Sequence, residues 1–119
     1  VLIYDMSLQF YNSIIYGRND EEMELDQFND QAELDVLFHH SLLKTELDTS
    51  TFGKYVNIKL NPSNTELFVD PFNGDFHLTG NAPPIDGADP DFPAIESTDL
   101  DGVVRSTELP DIGAYEYAP

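Results

Sequence analysis

The chain has no cysteine and no tryptophan, and only five lysines and arginines stand against 23 aspartates and glutamates. Each shortage excludes something. Without cysteine there is neither a disulfide framework nor thiolate chemistry, so the redox state of the compartment leaves no mark on the sequence. A formal net charge of −18 repels phosphate backbones and anionic lipid, which excludes nucleic acid and membrane surfaces as partners. No apolar run approaches the roughly 18 residues of a membrane-spanning helix, so membrane insertion is excluded too. There is no Gly-rich phosphate loop, and no serine on a strained elbow with His and Asp partners.

What is present points to a small β-rich domain. The 119 residues suffice for one domain with a modest core. A hydrophobic share of 40% makes the chain globular rather than disordered. Six Tyr and eight Phe favour strands over helices, and eight Pro and seven Gly punctuate the chain. It opens as though in mid-strand, at Val1-Leu2-Ile3-Tyr4, without Met or a signal peptide, and is expected to be an excerpt of a longer precursor.

Residues 1–17 read as strand, ended by Gly17-Arg18-Asn19-Asp20. The acidic stretch Glu21–Asp26 lacks a sustained helical period and reads as a short strand or turn. Glu33–Phe38 alternates polar and apolar as a half-buried strand does. Residues 45–66 read as polar loop, with a turn at Asn61-Pro62-Ser63-Asn64. Leu67-Phe68-Val69, Asp75-Phe76-His77-Leu78 and Ile112–Tyr117 are strand-like.

One internal echo bears on architecture. Phe10-Tyr11-Asn12-Ser13-Ile14-Ile15-Tyr16 aligns with Phe38-His39-His40-Ser41-Leu42-Leu43-Lys44, an offset of 28 residues from Phe10 to Phe38. That offset lies within the period range of repeat architectures. Stacked in parallel, the copies put Phe10 on Phe38, Ser13 on Ser41 and Ile15 on Leu43, like residues in columns. Asn12 stands where a tight corner needs positive φ, and His40 takes that place in the second copy. The competing architecture is an antiparallel sandwich of short strands.

The second half adds an ordered set of segments: Asp70-Pro71, Asp75-Phe76-His77-Leu78, Pro83-Pro84-Ile85-Asp86-Gly87-Ala88, Asp99-Leu100-Asp101-Gly102-Val103-Val104-Arg105 and Asp111-Ile112-Gly113-Ala114-Tyr115-Glu116-Tyr117. This order resembles the tail of secreted bacterial right-handed parallel β-helix proteins of Bacteroidetes type, and Asn12–Gly17 resembles one of their rungs. The resemblance covers nearly the whole chain. Ala82-Pro83-Pro84 departs from the usual Ser-Pro-Ala of that tail, and residues 88–98 look like a modest insertion. The resemblance implies a β-helix fold and secretion, but it fixes no activity, because this tail accompanies lyases, hydrolases and adhesins alike.

The expected fold is therefore all-β, the last few coils of a right-handed parallel β-helix. Residues 1–78 would form roughly three coils, and residues 79–119 an irregular Pro- and Asp-rich cap of the same domain. Asp99 and Asp101, with Asp86 and Asp89, are the candidate Ca²⁺ ligands, because hard carboxylate oxygens in a turn-rich loop suit that ion. The structural alternative is that Asp99 and Asp101 shape an Asx turn and pair with Arg105. Arg105 is expected to brace the tail beside Asp111, Gly113 and Glu116, with Asn12 at the first corner.

His39 and His40 are adjacent, so on a regular strand they point to opposite faces; a corner could bring them together, but no third ligand is evident. They and His77 are read as solvent-facing or locally hydrogen-bonded. Tyr11 and Tyr16 are the best candidates among the tyrosines for stacking on sugars. No carboxylate pair is informative among so many acids, and the residue sets of polygalacturonases and pectate lyases are absent.

The expected function is a non-catalytic C-terminal module of a secreted or cell-surface protein linked to polysaccharide binding or processing. The alternatives are a segment edging the cleft of a Ca²⁺-dependent polysaccharide lyase or glycosidase and, more weakly, a Ca²⁺-dependent adhesin. No catalytic residue and no cofactor other than Ca²⁺ is expected. The partners expected are a glycan and a second copy of the chain, the latter meeting the exposed N-terminal coil.

Overall fold

The computed structural model describes residues 2–27, 30–51, 53–62, 67–91 and 96–119. The echo seen in the sequence is a physical stack. β1 (Met6–Tyr11) pairs in parallel with β3 (Leu34–His39), Phe10 opposite Phe38 and Tyr11 opposite His39. β2 (Ile14–Ile15) pairs in parallel with β4 (Leu42–Leu43), Ile15 opposite Leu43. A third rung follows: β5 (Tyr55–Val56) continues the first sheet and β6 (Lys59–Leu60) the second. It lies inside the span expected to be loop.

The bend between the two sheets is made at one position per rung. Asn12, His40 and Asn57 adopt φ of 50°, 47° and 51°, the left-handed region that Asn and His tolerate better than most side chains. Serine supports the turn: Ser13 Oγ donates to the Tyr11 carbonyl at 2.8 Å and Ser41 Oγ to the His39 carbonyl at 3.1 Å. The Ser13 N–H in turn donates to Ser41 Oγ, across 28 residues of chain.

Apolar columns hold the rungs together. Phe10, Phe38 and Tyr55 stack with centroids 4.9 and 5.5 Å apart and planes within 10°. Each such contact is worth about 0.5–1.5 kcal/mol beyond the area it buries. Met23, Val36, Phe38 and Leu43 form one buried cluster, and Leu42, Leu67, Leu78 and Ala82 another. Adjacent residues of a strand face opposite ways, so Leu42 and Leu43, both fully buried, show that β4, the middle strand of the second sheet, is covered on both faces.

The expected right-handed parallel β-helix is not what forms. Among the described residues the strands make three separate small sheets, two parallel and one antiparallel, with no closed sheet and almost no helix. The 28-residue echo that suggested a β-helix is not kept at a fixed period. Here the corner-to-corner step is 28 residues between the first and second rungs, but only 17 between His40 and Asn57. Among the described residues no fourth rung follows. β7 (Phe68–Asp70) turns back through a 3₁₀ turn at Pro71–Asn73 and pairs antiparallel with β8 (Asp75–Leu78). Gly74 closes that turn at φ 81°.

Two further expectations change. Ile112–Tyr117 is not a strand, and Glu21–Asp26 is irregular. The first of these segments turns its N–H groups to side chains and to the rungs instead: Gly113 N–H donates to the Asn12 carbonyl at 2.9 Å and Tyr117 N–H to Asp111 Oδ2 at 2.5 Å. Ser63 and Asn64 of the expected turn, and residues 92–95 of the expected insertion, lie outside the described residues.

Candidate functional site

Two polar assemblies stand out, one at the corner of the rungs and one in the tail. At the corner, β3 ends in His39 and the chain turns at His40. Positive φ at His40 breaks the alternation that would send adjacent rings to opposite faces. The two rings lie with centroids 4.6 Å apart and Nδ1 atoms 2.9 Å apart. Between them the tail inserts Asp89, whose Oδ2 lies 3.3 Å from His39 Nδ1 and 3.7 Å from His40 Nδ1.

Asp89 is fixed from behind. Its N–H donates to Asn12 Oδ1 at 2.7 Å, Asn12 Nδ2 donates to its carbonyl at 3.2 Å, and its Oδ1 accepts from the Asp91 N–H at 3.0 Å. On the other side of His40, Asn57 Nδ2 is 3.0 Å from Nε2. Burial pushes the His40 pKa below the ordinary 6.5, helped by the neighbouring His39 and by Lys59 and opposed by Asp89.

The tail is held by carboxylates that accept backbone N–H groups. Asp99 accepts from Asp101, Val103 and Glu116; Asp111 from Asp86 and Tyr117; Glu116 from Ser106 and Asp111. Burial alone would raise the Asp99 pKa, but the three N–H donors and the nearby Arg105 outweigh it and hold the group below its usual range. Arg105 completes the lattice, with Nη2 donating to the Gly113 carbonyl at 2.8 Å and Nη1 lying 3.2 Å from Glu116 Oε2. Gly113 has φ 109°, where a side chain is strained, and a Cβ there would stand 2.7 Å from Ile14 Cδ1, so the tail backbone comes close to the first rung at a glycine.

The four candidate Ca²⁺ ligands do not converge. Asp99 is spent on backbone N–H groups, Asp101 Oδ2 lies 2.7 Å from His77 Nε2, and the exposed Asp86 shapes a turn at φ 56°. Asp89 sits apart with the histidines. Among the described residues, His39, His40 and Asp89 alone bring three ligand atoms within 4.8 Å of one another. Arg105, Asp111, Gly113, Glu116 and Asn12 are joined in or against the tail lattice, and Arg105 pairs with Glu116 rather than with Asp101.

Asp89, a distant tail residue, is the carboxylate beside His39 and His40 that the sequence alone does not point to. The signal available was His in the corner position held by Asn in the other rungs.

His77, on β8, is clasped on both sides, with Nδ1 2.6 Å from Asp75 Oδ1 and Nε2 2.7 Å from Asp101 Oδ2. Its ring lies 4.0 Å from that of Tyr115. Of the two expected sugar-stacking rings, Tyr16 packs edge-on against Phe68 under Lys44, and Tyr11 lies against His39 with ring centroids 5.2 Å apart. A groove of ≈ 570 Å³ lies between the first rung and the tail, lined among others by Phe10, Tyr11, Asn12 and Arg105. Comparison with protein-family models, with curated proteins and with solved structures finds no match for this chain.

Proposed function

We propose that this chain is a non-catalytic structural module of a secreted or cell-surface protein, one whose tail clamps a short parallel strand stack. The observation that carries this reading is the use made of the tail's acids. Asp99, Asp111 and Glu116 together accept seven backbone N–H groups, and Arg105 is tied to the same lattice. A carboxylate whose oxygens are taken up by backbone N–H groups is oriented by them, which suits a brace.

The link to polysaccharide and to the cell exterior rests on the tail's resemblance to secreted β-helix proteins. The groove beside Tyr11 adds an aromatic ring with amide and carboxylate neighbours, a lining suited to a neutral or polar glycan. The Ca²⁺-dependent lyase reading draws no support from four aspartates that do not meet.

The test pairs stability with catalysis. Asp111→Asn removes the charge that receives the Asp86 and Tyr117 N–H groups, and is expected to cost about 1–3 kcal/mol in urea unfolding. The unsubstituted chain is expected to release no reducing ends and no unsaturated products from a panel of neutral and acidic polysaccharides. Cleavage that persists on repurification and disappears in Asp111→Asn or Asp99→Asn protein that is still folded would overturn the reading.

A further inference from the structure

His39, His40 and Asp89 form an assembly that the tail lattice does not use. Three atoms able to bind a metal, His39 Nδ1, His40 Nδ1 and Asp89 Oδ2, lie at mutual separations of 2.9, 3.3 and 3.7 Å. A metal bound tetrahedrally at about 2.0 Å has ligand atoms about 3.3 Å apart, the middle of that range. We propose that these three atoms bind a divalent transition-metal ion of the Zn²⁺ class, with a fourth position left for water.

The donor set selects the metal. Two imidazole nitrogens and one carboxylate oxygen suit Zn²⁺, Cu²⁺ or Ni²⁺, whereas Ca²⁺ and Mg²⁺ require shells of oxygen. Protons satisfy this arrangement poorly. With Nδ1 facing Nδ1 at 2.9 Å, one ring must donate and the other accept, and Asp89 competes for the same hydrogen. A cation serves all three lone pairs at once.

The supporting groups are those of a built site. Asp89 Oδ1 is held by the Asp91 N–H, which leaves Oδ2 for the ion. The Asp89 backbone is held in both directions by Asn12. When the His40 Nδ1 ligates, its Nε2 carries the proton, and a turn of the Asn57 amide presents Oδ1 to receive it. The trio lies partly buried, with side-chain exposures of 23% and 13% for His39 and Asp89, so an ion can enter and is shielded once there. The bound ion would join the second rung to the tail, adding a cross-link to the fold.

The experiment uses the chain free of any histidine tag. Titration calorimetry with Zn²⁺ is expected to show one ion per chain. With free Zn²⁺ a hundredfold above Kd, the melting midpoint should rise by roughly 10 °C. Ca²⁺ at the same concentration should not move it. Bound Co²⁺ should show the intense visible bands of a tetrahedral site. Asp89→Asn and His39→Gln keep size and backbone contacts; each should lose more than about 100-fold in affinity, the ceiling for a merely supporting residue. Asn57→Ala should lose about 10–100-fold.

Circular dichroism without metal checks that each variant is folded. Absence of Zn²⁺ binding by the unsubstituted chain would overturn the proposal. So would folded Asp89→Asn and His39→Gln proteins that bind as the parent does, or a cobalt spectrum like that of the aqueous ion.

Discussion

His77 has a carboxylate at each ring nitrogen, Asp101 on Nε2 and Asp75 on Nδ1. Both nitrogens can donate only when the ring is protonated, so the hydrogen bond to Asp101, then that to Asp75, raises the His77 pKa above the ordinary 6.5. The hydrogen bond from His77 in turn lowers the Asp75 pKa below 3.8. The signs fix a window. The His77 contribution to stability is complete below pH 6.5 and is lost as pH rises through the raised folded value. The Asp75 contribution is present above pH 3.8 and is lost as pH falls through its lowered folded value. Melting of the parent and of His77→Gln from pH 5 to pH 9 should therefore show a gap at pH 5–6 that closes at high pH; a gap constant across that range would contradict the assignment. Asn12 and Arg105 could be read as structural from the sequence, because a corner and a lone cation among acids each carry a local signature. The partnership of His39, His40 and Asp89 could not, since it depends on where a distant tail residue arrives.

At the scale of elements, the first two rungs were legible because they repeat at the level of residue type: aromatic, corner, serine, two aliphatics. The third rung keeps the geometry and loses that signature. Tyr55-Val56-Asn57 supplies the aromatic and the corner, but Ile58 replaces serine and the spacing shortens, so periodicity alone passes over it. Among the described residues the stack ends at this rung, and β7 and β8 pair antiparallel instead. Among the described residues β1 is the edge strand of the first sheet, paired with β3. Met6 and Leu8 lie exposed on it, at 55% and 39%, and Tyr4 just before it at 74%. An open edge of this kind is a template for further pairing. Self-association through β1 is accordingly proposed: light scattering at high concentration should give a mass above the monomer, reduced by Leu8→Lys. A strict monomer would contradict it.

The whole molecule is longer than a compact chain of its size, with a radius of gyration of 15.7 Å and extents of 51 × 32 × 26 Å, against about 13.5 Å for a compact globule. Its tail spans the stack. Gly87 lies against Lys59 of the third rung, Asp89 against the second-rung histidines, and Gly113 against Asn12 and Ile14 of the first. This path has no counterpart in periodicity or composition; the Asp-, Pro- and Gly-rich segments announce turns without saying which rungs they cross. The central claim is that the tail and the rungs form one cooperative unit, and native-state hydrogen exchange reads it directly. The amides of Asp89 and Gly113 donate to Asn12, and those of Leu42 and Lys44 donate within the stack. All four are predicted to exchange only through global unfolding, with the same free energy. Rapid exchange at Asp89 and Gly113 while Leu42 and Lys44 stay protected would show the tail to open on its own, and would contradict the clamp.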